Sequence, residues 1–110
     1  MSRSDDNRLE DIVDAAAEIA AVVAEGRERF ERDRLVQLAT ERLLEIIGEA
    51  MAKMSIGFRE EHPQVEWPQV IGMRNLLAHA YHRVDIELVW QAASESVPSL
   101  LVAIRLPQLP

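Results

Sequence analysis

Apolar residues recur every three or four positions along most of the chain, which is the spacing of one face of an α-helix. The first stretch with this spacing comprises Leu9, Ile12, Val13, Ala16, Ile19, Ala20 and Val23. Ser4 or Asp5 is placed to cap its start, and Gly26 is placed to end it. The pattern therefore predicts a first helix that ends before residue 26.

A second helix is predicted from Asp33, as its cap, to about Lys53. Its apolar residues cover more than one stripe of the helix surface: Leu35, Val36, Leu38, Ala39, Leu43, Leu44, Ile46, Ile47, Ala50, Met51 and Met54. A helix that is apolar on two sides packs against two neighbours. We therefore expect this helix to be the central one, with Phe30 buried under the turn before it.

Gly57 and Pro63 interrupt the pattern, and Trp67-Pro68 reopens it, because proline suits the first turn of a helix. The inward residues of this third helix are Trp67, Val70, Ile71, Leu77 and Ala78. Asp85 is a candidate cap for a fourth helix, whose buried face would hold Ile86, Val89, Trp90 and Ala93. A last helical segment with Leu100, Leu101 and Ile104 follows Pro98. Since no stretch alternates as a strand does, the fold class predicted is an all-α bundle.

The length of 110 residues fits one domain, over residues 1–110. There is no cysteine, no apolar run of membrane-spanning length and no apolar stretch near Met1 of the kind a signal peptide has, so we expect a cytoplasmic protein away from the membrane. The net charge of −7 argues against broad nonspecific binding of nucleic acid. Most acidic residues precede Pro63, however, and the C-terminal part is close to neutral.

Candidate chemistry is concentrated between Arg74 and Tyr81. Arg74 offers a planar fork that matches phosphate oxygens, His79 can transfer protons near neutral pH, and Asn75 can orient either group. On one straight helix Arg74 and His79 would point about 140° apart. Either the helix loosens before His79, or two copies of this helix meet across a two-fold axis, which would also gather two copies of Arg74 and Arg83. We favour the second.

Each of these residues also has a structural interpretation. Arg74 can pair with Glu45 or Glu49 on the central helix, which is compatible with catalysis, although that acidic pair could instead bind a cation. His79 can cap a helix end, and Tyr81 can bury its ring. A metal site at His79, His82 and Asp85 is disfavoured because Asp85 is wanted as a cap, so no metal and no cofactor are expected. The arginines at positions 27, 29, 32 and 34 alternate with acids, which predicts a solvated ion-pair surface.

The sequence resembles the HepT family of HEPN-domain proteins, which are toxins paired with minimal nucleotidyltransferases. Beyond the Arg-x4-His-x-Tyr motif, the similarity includes Arg34-Leu35-Val36-Gln37, Leu44-Glu45-Ile46-Ile47-Gly48-Glu49-Ala50, Trp67, Ile71-Gly72-Met73-Arg74-Asn75 and Val84-Asp85. The resemblance implies a four- to five-helix up-and-down bundle that forms a homodimer through the motif-bearing helices. It also implies a metal-independent RNA endonuclease acting on tRNA or mRNA.

By position in the motif, the resemblance makes Arg74, His79 and Asn75 catalytic: Arg74 stabilises charge on the scissile phosphate, His79 acts as general acid or base, and Asn75 orients them. Tyr81 matches the tyrosine that an MntA-type nucleotidyltransferase antitoxin modifies with AMP, which would block the cleft. The sequence has Leu76 where a second arginine is frequent in the family, and Ala80 where an acid is frequent. The alternative is a non-catalytic subunit that binds a nucleotide or docks on the nucleotidyltransferase.

Overall fold

The computed structural model describes residues 4–78 and 85–104, without the side chains of Leu76 and Ala78. Within those ranges the chain is helical and contains no strand. The α-helices are α1 (Asp5–Ala24), α2 (Arg27–Arg32), α3 (Arg34–Ala52), α4 (Ile56–Glu61), α5 (Trp67–Ala78), α6 (Ile86–Gln91) and α7 (Val97–Ala103). The prediction of an all-α bundle is therefore confirmed, with α2 and α4 as two short additions that the sequence pattern did not indicate.

The start and end of α1 follow the predicted signals. The hydroxyl of Ser4 accepts a hydrogen bond from the backbone N–H of Asn7 at 3.2 Å, so Ser4 is the cap, while Asp5 opens the helix. Gly26 follows the last turn with a φ of +94°, a conformation that side chains with a Cβ rarely adopt. This glycine lets the chain reverse directly into α2.

The central position predicted for α3 is confirmed. Asp33 caps its start by accepting from the N–H of Val36 at 3.2 Å, and the helix packs against α1 on one side and α5 on the other. The core between these helices includes Ile12, Ile19 and Met51, which are almost fully buried. The prediction was wrong for the first turns of the helix, where Leu35 is 78% exposed and Leu38 is 45% exposed.

The short helix α2 lies across the start of α3. Phe30 is buried, as predicted, and its ring lies 5.2 Å from that of Trp90, centroid to centroid. The buried side chain of Gln37 donates from Nε2 to the backbone carbonyl of Phe30 at 2.9 Å and to that of Glu31 at 3.2 Å. Gln37 therefore adds a donor to carbonyls in the last turn of α2, where the carbonyl of Phe30 also accepts from the N–H of Asp33 at 3.4 Å.

The last helical segment runs without a break from α6 to α7. Asp85 caps it, as predicted, by accepting from the N–H of Glu87 at 2.8 Å. Residues Ala92–Ser96 form a π-helical turn, in which the N–H of Val97 bonds to the carbonyl of Ala92. Pro98 follows directly and has no N–H to donate, so one regular helical hydrogen bond is missing there. The wider π-helical turn accommodates the missing bond, and the helix continues. No helix among the described residues is long and apolar enough to cross a membrane.

Candidate functional site

Helix α5 packs against α3 and carries Arg74 into contact with it. At the start of α5, the ring of Trp67 lies 5.2 Å from the guanidinium carbon of Arg59, whose Nη2 donates to the carbonyl of Ala52 at the end of α3. Farther along α5, Arg74 reaches Glu49, one turn before the end of α3. The register of the two helices therefore selects which acidic residue Arg74 meets.

A glycine makes this close approach possible. A Cβ atom placed on Gly48 would lie 2.5 Å from the Cβ of Arg74 and 3.2 Å from its Cα. Real Cβ atoms do not tolerate such distances, so α5 can lie this near to α3 only because position 48 has no side chain. The backbone of Arg74 is consequently held against the central helix.

Contacts at all three nitrogens hold the guanidinium of Arg74 in place. Its Nε donates to Oε1 of Glu49 at 2.8 Å, its Nη2 lies 2.6 Å from the same oxygen, and its Nη1 donates to Oδ1 of Asn75 at 2.8 Å. These three contacts use three of the five N–H groups that an arginine carries. With respect to the described residues, one N–H on each terminal nitrogen is left for a further acceptor. The side chain is 29% exposed, so such an acceptor can come from solvent.

Glu49 balances two cations. The hydrogen bond from Arg74 is the largest cause that lowers the pKa of Glu49 below its ordinary range, and a second contribution comes from Lys53, whose Nζ lies 3.3 Å from Oε2. The carboxylate is therefore charged at neutral pH. Together the three side chains carry one net positive charge, in a chain whose overall charge is −7. The arrangement is suited to an anion.

Glu45, the other candidate partner of Arg74, instead lies 3.0 Å from Nη1 of Arg42. Each member of the acidic pair is thus occupied by a basic side chain, which supports the interpretation of Glu49 as the support of Arg74 over the interpretation of the pair as a cation site. Across residues 4–78 and 85–104, no three histidine or acidic side chains converge as a metal site would require.

The other predicted site residues, His79, Tyr81 and Arg83, lie outside the described residues, as do His82 and Ala80. The structure therefore brings together Arg74, Asn75 and Glu49 from the predicted set. Because His79 lies outside the described residues, its orientation relative to Arg74 stays a prediction.

Two residues of the site were not singled out from the sequence. Gly48 left a signal, because a glycine inside a helix costs about 1 kcal/mol relative to alanine and often marks a close contact. Lys53 left a signal as well, because a lysine four residues after a glutamate on one helix is placed to form an ion pair, although its position beside Arg74 depends on how α5 packs.

The arginines around α2 form ion pairs, as predicted. Arg27 pairs with Glu31 at 2.8 Å and also with Glu87, and longer contacts join Arg29 to Asp33 and Arg32 to Glu28. These exposed pairs neutralise one another, so this surface does not extend the positive charge at Arg74.

A cavity of about 580 Å³ lies between α3, α5 and the π-helical turn. Its walls are mainly apolar, with Leu44, Val70 and Leu100 among them, and its polar residues include Glu66 and Glu95. Among residues 4–78 and 85–104, no lysine, arginine or histidine lines it. The cavity therefore does not suit a phosphate group, and the anion-binding chemistry stays with Arg74.

Comparison of the sequence with known proteins assigns the chain to a family. The family described as "Ribonuclease HepT-like" matches residues 12–106. A protein of Thermococcus cleftensis named "Probable ribonuclease HepT" is 40% identical over 101 residues, which cover 91% of this chain and 92% of that protein. A protein of Methanocaldococcus jannaschii named as a putative RNase is 34% identical over 93 residues, covering 84% of this chain and 85% of that protein. No solved structure matches the chain significantly.

Proposed function

The chain belongs to the HepT-like ribonuclease family, and on that premise we propose that it is a metal-independent RNA endonuclease that acts as the toxin of a toxin–antitoxin pair. The observation that carries the proposal is the state of Arg74. Its guanidinium is held by Glu49 and Asn75 and still has an N–H on each terminal nitrogen for an incoming oxygen. A guanidinium fixed in this way suits a phosphodiester, whose oxygens match the planar fork.

In the proposed reaction, the ribose 2′-oxygen attacks the adjacent phosphorus. The bond from O2′ to phosphorus forms, the bond from phosphorus to O5′ breaks, and the products are a 2′,3′-cyclic phosphate and a 5′-hydroxyl. One proton leaves the 2′-hydroxyl and one joins the leaving oxygen. His79 takes or supplies one of these protons, and Arg74 stabilises the charge that grows on the non-bridging oxygens.

Preorganisation allows Arg74 to stabilise the charge that develops on the phosphate. Because Glu49 and Asn75 already fix the guanidinium plane, little reorganisation is needed when the phosphate charge develops. The ion pair also weakens the attraction for phosphate, because the negative charge of Glu49 partly neutralises that of Arg74. The positive charge of Lys53, on the other carboxylate oxygen, offsets this effect.

The proposed protein partners are a second copy of the chain and a nucleotidyltransferase antitoxin that adds AMP to Tyr81. Support for the dimer comes from the first turns of α3, which begins at Arg34. That part of α3 exposes Leu35 and Leu38. Contact between two such surfaces would pair two copies across a two-fold axis, which is the arrangement we favour for bringing Arg74 and His79 together.

The test is cleavage of total RNA in EDTA by wild-type, Arg74→Ala and His79→Ala proteins, resolved on a gel, with helicity measured by circular dichroism. Arg32→Ala serves as a control, because it removes another glutamate-paired arginine, one on α2 that does not contact Glu49. We expect cleavage by wild type and Arg32→Ala only.

Two results would overturn the proposal. The absence of cleavage by folded, unmodified wild type would favour a non-catalytic subunit that docks on the nucleotidyltransferase. Cleavage that survives in both site variants would assign the activity to other residues or to contamination. Growth arrest on expression of the chain alone, lost in His79→Ala, is expected of the toxin and not of a docking subunit.

A further inference from the structure

Lys53 stands at the C-terminal end of α3, beside the supported arginine. Its backbone N–H closes the last turn by bonding to the carbonyls of Glu49 at 3.2 Å and Ala50 at 3.3 Å. This fixes the Cα of Lys53, while the side chain is 62% exposed. The ammonium is therefore carried on a rigid base and can move within solvent.

The carboxylate of Glu49 sets the distance between two cations. Oε1 contacts Nη2 of Arg74 at 2.6 Å, and Oε2 lies 3.3 Å from Nζ of Lys53. The two positive groups thus lie on either side of a single carboxylate. Because each nitrogen lies within 3.3 Å of an oxygen of the same carboxylate, the two cations are neighbours, and an ammonium acts on a phosphate as a point charge without demanding one orientation.

From this geometry we propose that Lys53 binds the backbone phosphate adjacent to the one held by Arg74, so that the substrate lies along the line from α5 to the end of α3. The inference rests on the proposed function and adds a second phosphate subsite to it. The ligand class is a single-stranded polyribonucleotide of at least three residues, because two consecutive internal phosphates are required.

The ion pair between Lys53 and Glu49 does not oppose this role. Exposed pairs of this kind contribute little stability, so the ammonium can exchange one acceptor for another. Glu49 keeps its contacts with Arg74 when Lys53 turns away. An ammonium also has three N–H donors, so it can bind a phosphate oxygen and retain the carboxylate.

A purely structural role for Lys53 predicts a different result. In that case the ammonium only balances Glu49 and the helix end, and its removal changes stability without changing the number of phosphates bound. The salt dependence of RNA affinity separates the two roles, because each phosphate contact on a single strand contributes about 0.7 to the slope of log K against log salt.

The experiment measures binding of a fluorescent single-stranded RNA oligonucleotide in EDTA at several salt concentrations, with His79→Ala as the parent so that the RNA stays intact. Lys53→Gln, Lys53→Arg and the matched control Arg32→Gln are made in that parent. We expect Lys53→Gln to weaken binding and lower the slope by about 0.7. Lys53→Arg should restore both values, and Arg32→Gln should leave both unchanged.

An unchanged slope for folded Lys53→Gln would overturn the inference. Cleavage by the chain with active His79 distinguishes this failure from failure of the proposed function. If wild type cuts RNA while Lys53→Gln keeps the parental slope, only the subsite is wrong. If wild type neither binds nor cuts RNA, both proposals fall. In the active chain, Lys53→Gln should raise KM more than it lowers kcat, whereas Arg74→Ala should lower kcat.

Discussion

Gly48 on α3 and Arg74 on α5 are so close that a Cβ at position 48 would lie 2.5 Å from the Cβ of Arg74. The distance is set by backbone rather than by the flexible end of a side chain, because the Cα of Arg74 would also lie within 3.2 Å. The contact therefore fixes where the arginine leaves its helix. The same packing aligns the guanidinium with Glu49, the residue after Gly48.

Gly48→Ala should destabilise the protein and impair the site. Although alanine is the better helix former, the added methyl group must push α5 away, and such overpacking costs about 1–3 kcal/mol. Urea unfolding at neutral pH measures this cost. The displaced Arg74 would also lose its bonds to Glu49, so RNA cleavage should fall by more than the unfolded fraction explains.

Gly72→Ala is the matched control, because nothing lies within 4 Å of a Cβ placed at position 72 of α5. Replacement of this helical glycine should stabilise the protein by about 0.5–1 kcal/mol. If both alanine variants proved equally stabilising, the close packing of α3 and α5 at Arg74 would be contradicted.

Sequence reasoning identified the partners of Arg74 only as a pair of alternatives. Glu45 and Glu49 are one turn apart on the same face of α3, so helical spacing cannot distinguish them. The choice depends on how far α5 slides along α3, which is decided by Gly48 and by the contacts at the start of α5. Those are tertiary contacts, and no local pattern encodes them.

The ion pair at Glu49 should make stability depend on pH in a defined direction. The pKa of Glu49 is lowered from its ordinary value of 4.5, first by the hydrogen bond from Arg74. A carboxyl whose pKa is lower in the folded state stabilises the fold above its unfolded pKa, and this contribution is lost as the pH falls through the folded pKa. The difference in unfolding free energy between wild type and Glu49→Gln should therefore be largest near neutral pH and shrink below about pH 4.5.

Glu41 provides a control of opposite sign, since burial is the main cause that raises its pKa above 4.5, against a smaller effect of Arg34. A raised pKa means that the charged form destabilises the fold at neutral pH and that this penalty disappears on acidification. Glu41→Gln should therefore gain stability relative to wild type at neutral pH and lose that advantage below about pH 4.5. Urea unfolding of both variants across the same pH series provides the comparison. Parallel pH profiles for the two variants would contradict these assignments.

Gln37→Leu should destabilise the junction between α2 and α3. The buried amide of Gln37 donates to the carbonyls of Phe30 and Glu31, and leucine would leave them without this donor. Loss of a partner by a buried polar group costs about 1–3 kcal/mol. Thermal and urea unfolding measure the effect. Gln91→Leu on the exposed side of α6 is the control, and it should change stability by no more than about 0.5 kcal/mol.

This junction also illustrates what the hydrophobic pattern could not predict. Helices α2 and α4 have six residues each, too few to show a helical repeat, and α2 contains one apolar residue, Phe30. Helices α1, α3 and α6 were predicted with their caps because Ser4, Asp33 and Asp85 act through local bonds to N–H groups two or three residues away. Ser55 caps α4 in the same local way, by accepting from the N–H of Phe58 at 3.1 Å, so what α2 and α4 lacked in the sequence was a hydrophobic repeat long enough to predict a helix.

The exposed leucines at the start of α3 lead to a test of the dimer. If Leu35 and Leu38 form the contact between two copies, Leu35→Glu should place a charge in an apolar interface and shift the protein to a monomer, because an unpaired buried charge is strongly unfavourable. Analytical ultracentrifugation over a range of concentrations measures the shift. Val102→Glu is the matched control, since Val102 is exposed on α7. A dimer that persists in Leu35→Glu and dissociates in Val102→Glu would place the interface on α7. Contact through Leu35 and Leu38 would then not explain how Arg74 and His79 come together.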